Sequence, residues 1–80
     1  MTRSKFTRES FDSDAWVAAL DRCVNASGIT WKQVSEETGV HPSTLSRINT
    51  GQTMPDAVAL AVLSAWAGIN PVKYCREVAA

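Results

Sequence analysis

The sequence predicts an all-α protein, a compact bundle of about five short helices. Apolar residues recur at the three- and four-residue spacing of an amphipathic helix. In the first predicted helix this stripe consists of Trp16, Leu20, Cys23 and Val24. Glycines stand where predicted helices end, because glycine accepts the left-handed conformation that closes a helix. These glycines are Gly28, Gly39 and Gly68.

The first helix is predicted over residues 13–26, with Asp12 or Ser13 as its N-cap. Phe11 lies just outside this cap, and we expect it to pack against the helix as a hydrophobic staple. Trp16 belongs to the inward stripe, so we expect it in the core rather than stacked on a nucleic-acid base.

Length and composition limit the classes of function. A chain of 80 residues makes one domain with a modest core. No apolar run is long enough to span a bilayer, and the basic start is not followed by the apolar stretch of a secretory signal. Cys23 and Cys75 match no metal spacing, and they predict free, mostly buried thiols of a cytoplasmic protein rather than a disulfide. We expect no metal, cofactor or small-molecule ligand.

The charges are balanced overall but segregated along the chain. Eight basic and eight acidic residues give a formal net charge of zero, which argues against nucleic-acid binding. The local field matters more than the net charge, however. Residues 1–10 are predicted as a flexible basic N-terminal arm, and residues 11–80 as the folded domain. The basic residues of the arm are Arg3, Lys5 and Arg8. The arm either neutralises DNA phosphates or is a solubilising tail.

The chain is organised around residues 29–51, ITWKQVSEETGVHPSTLSRINTG. Thr30 and Gln33 have the spacing of a capping box that starts a second helix, which ends near residue 38. Gly39 supplies the bend. A third helix is predicted over residues 42–50, with Pro42 at its first position, where the missing N–H is no loss. This arrangement predicts a helix-turn-helix, whose second helix is free to enter a DNA groove.

The seam between these two helices is predicted from their apolar residues. Val34, Leu45 and Ile48 form the seam, Val40 fills the bend, and Ser35 is small enough for the backbones to approach. With Leu45 and Ile48 facing inward, the opposite face of the third helix is polar. That face presents Pro42, Ser43, Ser46, Arg47 and Thr50, with Thr44 at its edge.

The run T-x-x-x-V-S-x-x-T-G-V-x-P-S-T-L-S-R-I-x-x-G-x-x-x-P resembles the Cro/repressor (XRE-type, lambda-repressor-like) helix-turn-helix family of phage and bacterial regulators. The resemblance covers about residues 16–74 and is tightest over residues 30–55. It implies that the third helix reads base edges. The implied base contacts are Pro42, Ser43, Thr44, Ser46 and Arg47.

The candidate contacts to the DNA backbone lie around the reading helix. They are Trp31, Lys32, His41, Asn49, Thr50, Gln52 and Thr53. The sequence departs from the family at Trp31, where members often carry Gln. We expect Trp31 to pack on the sugar–phosphate backbone or to fill a neighbouring gap. Lys32 is either a phosphate contact or a solvated surface lysine. His41 has no catalytic partner and is interpreted as structural or as a phosphate donor.

A fourth helix is predicted over residues 56–67, and its apolar residues lie nearly all round it. Such a helix is expected to be buried on more than one side. Asn70 and Pro71 are expected to begin a fifth helix, with Val72, Tyr74, Cys75 and Val78 as apolar positions. Core packing accounts for most of the apolar surface. Self-association as a homodimer through the fourth and fifth helices is the alternative use of the rest.

The leading interpretation is a sequence-specific regulator of transcription that binds double-stranded DNA, of phage repressor or Cro type, acting by operator occupancy. An antitoxin-type autoregulator would use the same fold. A helical protein-interaction module that keeps the fold as a scaffold is the alternative from another class. An enzyme has little support, since the sequence has no paired carboxylates, no nucleophile beside a base and no glycine-rich phosphate loop.

Overall fold

The structure is a computed structural model that describes residues 6–76. Within that range the chain forms four α-helices, together with a 3-10 helix before the first and another after the last. The α-helices are α1 (Ser13–Ser27), α2 (Trp31–Thr38), α3 (Pro42–Asn49) and α4 (Ala57–Ala67). The prediction of an all-α fold is confirmed, although the number of α-helices is four rather than five.

The predicted helix ends are reproduced by local hydrogen bonds. Asp12 caps α1, because its Oδ1 accepts the backbone N–H of Ala15 at 3.0 Å. Gly28 closes the helix in the left-handed conformation, with φ +70°. The staple is confirmed as well, since the rings of Phe11 and Trp16 lie 6.5 Å apart between centroids. These contacts fix where α1 starts and how the chain enters it.

The core is a single cluster of seven fully buried side chains from all four helices. They are Trp16, Leu20 and Val24 of α1, Val34 of α2, Leu45 and Ile48 of α3, and Leu63 of α4. Trp16 is therefore a core residue, as predicted. Its Nε1–H donates to Oγ of Ser64 at 3.0 Å, and both groups are buried. This bond satisfies the polar atom of the largest core side chain and joins α1 to α4.

The prediction that the fourth helix is buried on more than one side is wrong. Helix α4 packs against α1, α2 and the C-terminal 3-10 helix through one face, which carries Ala59, Leu63 and Ser64. Its other face is apolar yet exposed, and Val58 has 73 % of its surface accessible. Ala61 and Ala65 are exposed beside it. The described chain has no further layer to place over this surface.

The fifth helix is a 3-10 helix at Pro71–Tyr74 rather than an α-helix, so that prediction is corrected. The chain leaves it in extended conformation and pairs with the segment before α1. The N–H of Asp12 donates to the carbonyl of Tyr74 at 2.7 Å, and that of Arg76 to the carbonyl of Ser10 at 2.9 Å. This pairing draws the backbone out of a helical path. Val72, one of the predicted apolar positions, is 70 % exposed, and Val78 lies outside the described residues.

The segment just before α1 contains a short helix. Arg8–Ser10 forms a 3-10 helix, and Ser10 is buried although it was placed in the flexible arm. The hydroxyl of Thr7 donates to Glu9 at 2.9 Å, which lowers the pKa of the Glu9 carboxyl. Arg8 is exposed. The other basic residues of the arm, Arg3 and Lys5, lie outside the described residues, and a DNA-binding arm stays a prediction.

The thiols of Cys23 and Cys75 are free, as predicted, and both are half-buried rather than mostly buried. Over residues 6–76, no group of histidine, cysteine and acidic side chains is arranged to hold a metal ion. No helix in this range is long and apolar enough to cross a membrane.

Replacing Ser64 with Ala should lower the free energy of unfolding by about 1–3 kcal/mol, because the buried Trp16 N–H loses its acceptor. Urea denaturation followed by circular dichroism measures this loss. Ser27→Ala is the matched control, since Ser27 is an exposed helical serine, and it should change the stability by less than about 0.5 kcal/mol. A neutral Ser64→Ala variant would contradict the proposed importance of this bond.

Candidate nucleic-acid interface

The turn between α2 and α3 is fixed by backbone conformation and by two side chains. Gly39 has φ +75°, and its N–H donates to the carbonyl of Ser35 at 2.8 Å. The Ser35 hydroxyl crosses the bend and donates to the carbonyl of Val40 at 2.6 Å. Thr38 Oγ1 donates to the carbonyl of Val34 and accepts the N–H of Val40. The sequence predicted a small residue at Ser35, but not that its hydroxyl closes the turn.

Helix α3 is anchored by one face and exposed on the other. Leu45 and Ile48 have 2 % and 1 % of their surface accessible, so they hold the helix against α1 and α2. The opposite face is open to solvent, with Thr44 half-buried at its edge. Its exposed residues are Pro42, Ser43, Ser46, Arg47 and Thr50. The predicted orientation of α3 is confirmed, while contact of these side chains with bases stays a prediction.

His41 caps the N-terminus of α3. Its Nδ1 accepts the backbone N–H of Ser43 at 3.1 Å and lies 2.8 Å from the Ser43 Oγ. Pro42 follows at the first helical position, as the sequence predicted. His41 therefore makes a structural contact, in which an imidazole nitrogen takes the place of the usual capping oxygen.

The C-terminal end of α3 places the next polar loop beside it. Thr50 Oγ1 donates to the carbonyls of Ser46 and Arg47. Gly51 has φ +76°, and the N–H groups of Gly51 and Gln52 donate back to Ile48 and Arg47 at 3.1 and 2.9 Å. This double closure is a Schellman motif. It leaves Gln52 and the following Thr53 exposed just past the helix.

A groove of about 340 Å³ runs between α2 and α3 and brings six of the predicted contact residues together, whereas the others, Arg47 among them, do not line it. Its lining is mostly apolar, with polar groups at its edge. The lining residues are Trp31, Lys32, Pro42, Leu45, Ser46, Asn49 and Thr50. Trp31 is half-buried and packs on the core with part of its surface, and the rest lines the groove, so its predicted contact with the sugar–phosphate backbone stays a prediction. Arg8 is not among the residues of this groove.

The local charge on this surface is basic although the chain is neutral overall. The sequence between Thr38 and Pro55 holds no acidic residue, and Arg47 lies in the last turn of α3. Lys32 is exposed at the groove, and the exposed Glu36 follows it one helical turn later on α2. On α2, Glu37 is held toward α4 because its Oε1 accepts the indole N–H of Trp66 at 3.0 Å. The segment that forms α3 and the loop after it therefore carries the charge of Arg47 without an acidic residue, which favours an anionic partner.

Acidic residues mark one limit of this basic surface. Asp14 and Asp21 of α1 line a second cavity, of about 400 Å³, next to the C-terminal end of α3. Asn49, half-buried, lines both this cavity and the groove that contains Lys32. A phosphate near Asn49 is consequently favoured on the side of Lys32 and disfavoured on the side of the two aspartates.

The family model of helix-turn-helix domains matches residues 20–65, which is more than half of the chain and includes α2, α3 and most of α4. The chain belongs to the helix-turn-helix family of the Cro/repressor (XRE) type. Members of this helix-turn-helix family are DNA-binding regulators. No curated protein and no solved structure matches the chain.

Replacing Gly39 with Ala should destabilise the helix-turn-helix by about 1–2 kcal/mol, because a Cβ is unfavourable in the left-handed conformation. An added Cβ would meet no atom within 4 Å, so the loss is conformational rather than steric. Chemical denaturation measures it. Gly39→Asn is the matched control and should lose less, since asparagine tolerates this conformation. Equal losses in the two variants would contradict this explanation.

Proposed function

We propose that the chain is a sequence-specific regulator of transcription that binds double-stranded DNA, of the phage repressor or Cro type, and acts by occupying an operator. The observation that carries the proposal is the exposed polar face of α3, held in place by the buried Leu45 and Ile48. A bound domain at an operator excludes polymerase without any catalytic step, so the function needs no active site.

The proposed reading element is α3 in the major groove. An α-helix with its side chains is about 10–12 Å in diameter, so it fits the major groove, which is about 12 Å wide. Arg47 is the principal base contact, because its guanidinium can donate to O6 and N7 of guanine at once. Ser43 and Ser46 are short, so they let the helix approach the base edges closely. Pro42 and Thr44 contribute apolar contacts at the ends of this surface.

The groove between α2 and α3 is proposed to receive the sugar–phosphate backbone beside the reading helix. Its apolar wall suits deoxyribose, while Lys32 offers a cation to the phosphate. Thr50, Gln52 and Thr53 are exposed around the C-terminal end of α3 and can contact the same strand. Such contacts fix the register of the protein on DNA but carry no sequence information directly.

A homodimer is the form in which this small domain would bind an operator with two half-sites. The exposed apolar face of α4 supports it, because Val58, Ala61 and Ala65 lie one to two helical turns apart on one side. Small side chains let two helices approach closely. Each copy would then present its own α3, with half-sites about 34 Å apart.

The same exposed face of α4 favours one alternative function, a helical protein-interaction module that keeps the fold as a scaffold. An antitoxin-type autoregulator would combine DNA binding with such a protein contact. The basic, acid-free surface of α3 supports DNA binding over a purely protein-binding role. Binding to random duplex DNA at low salt separates the two, since an interaction module would cause no gel retardation.

Arg47→Ala should reduce the difference in binding free energy between the selected DNA site and random duplex by about 1–3 kcal/mol. Weak nonspecific binding should persist. The measurement is the affinity for the site and for random duplex at one salt concentration, after selection of the site from a random pool. Arg22→Ala is the matched control, because Arg22 is exposed on α1 outside the groove and changes the charge equally. An equal loss on every duplex would show that Arg47 contacts phosphate instead.

Val58→Glu should convert a dimer to a monomer, because two copies of the new carboxylate would be brought together at the α4 face. Sedimentation equilibrium over a concentration series measures the mass. Ala26→Glu, an exposed substitution on α1, is the control and should leave the mass unchanged. If the unsubstituted chain is a monomer at every concentration, the homodimer proposal is wrong.

A further inference from the structure

One stripe of α3 lines the groove between α2 and α3, and its chemical character changes along the helix. The members of this stripe have the spacing of a single helical face. In chain order they are Pro42, Leu45, Ser46, Asn49 and Thr50. The first two are apolar and the last three are polar. The groove is therefore apolar at the N-terminal end of α3 and polar toward the C-terminal end.

Pro42 is the apolar residue of this stripe that a partner can reach. Leu45 has only 2 % of its surface accessible, so it forms the floor of the groove rather than a contact surface. Pro42 is exposed at the first position of α3. Trp31, which lines the same groove from α2, is half-buried and packs on the core, so its side chain is restricted. The N-terminal end of α3 thus presents a proline ring to solvent beside a fixed aromatic wall.

The side chain of Pro42 can contact a base but cannot form a hydrogen bond with it. The N-terminal residues of a recognition helix are the ones that reach base edges. Proline has no backbone N–H, and its ring has no donor or acceptor. Placed against the nitrogen or oxygen groups of a base edge, the ring would remove water from them without replacing its hydrogen bonds. The 5-methyl group of thymine is the apolar group that base pairs expose in the major groove.

We propose that Pro42 is a specificity-determining residue that reads the 5-methyl group of a thymine. This inference rests on the proposed function, with α3 in the major groove. Cytosine carries a hydrogen where thymine carries the methyl group, so an unmodified G·C pair lacks the contact. An A·T pair has the methyl group on one strand only, so the contact also selects the orientation of the pair. The rest of the groove stays available to the sugar–phosphate backbone.

The experiment uses the full chain and the duplex that it selects from a random pool, and it replaces one thymine at a time with deoxyuracil. Deoxyuracil differs from thymine only in lacking the 5-methyl group. Fluorescence anisotropy at one salt concentration gives each affinity. At one thymine the replacement should weaken binding of the unsubstituted chain by about two- to fourfold, the effect of one methyl group buried in part or in full. In Pro42→Ser the same replacement should have no effect, because the shorter polar side chain leaves the methyl group in water.

Thr44→Ser is the matched control, since it removes a methyl group from the edge of the same face of α3, and the loss at this thymine should remain. Circular dichroism checks that each variant is folded. Serine is tolerated at this position of α3, because the N–H that it adds needs no partner within the helix. A second pair of duplexes carries cytosine or 5-methylcytosine in place of the thymine. The methyl group should strengthen binding by the same factor, and only when Pro42 is present.

Four results would overturn the inference while leaving the proposed function intact. Two are measured on the unsubstituted chain, so the test holds even if Pro42→Ser does not fold. They are the lack of any thymine at which removal of the methyl group weakens binding, and equal affinity for the two cytosine duplexes. The other two are a loss that persists in Pro42→Ser and a loss that disappears in Thr44→Ser. If the unsubstituted chain selects no sequence at all, the proposed function itself fails.

Discussion

The left-handed backbone at Gly39 is the constraint on which the orientation of α3 depends. Its φ of +75° turns the chain between two eight-residue helices, and the Ser35 and Thr38 hydroxyls hold the backbone on either side of the bend. Each helix is too short to persist alone in water. The turn and the seam formed by Val34, Leu45 and Ile48 therefore act together. The polar face of α3 points to solvent because the residues of this seam on its other face are buried in the core.

Features encoded by neighbouring residues could be predicted from the sequence, and this covers most of the fold. The caps at Asp12 and Thr30, the closures at Gly28 and Gly39, and the inward stripe of α1 each depend on residues within one or two turns. The C-terminal 3-10 helix could not be predicted in this way. Its path depends on pairing of Cys75 with Phe11, which are far apart in the sequence. Helical spacing alone cannot reveal such a partner.

The same division applies to the interface. The exposed residues of α3 follow from the helical repeat, since fixing Leu45 and Ile48 inside determines the opposite face. Predicting the groove between α2 and α3 would require the angle between the two helices. Predicting the contact between Ser43 and His41 would require the side-chain rotamers. For α4, the sequence shows which residues are apolar but not how many other helices pack over them. Residues 6–76 cover one face of α4 only.

Phe11 pairs with Cys75 in an antiparallel bridge. Backbone hydrogen bonds from Asp12 to Tyr74 and from Arg76 to Ser10 flank it, so the two ends of the described domain lie side by side. Whatever polypeptide is attached before Ser10 or after Arg76 must leave the domain from one edge. An affinity tag or fluorophore attached beside Ser10 or beside Arg76 would consequently lie at the same edge of the domain. A short linker across this edge would be the natural join for a circularly permuted chain.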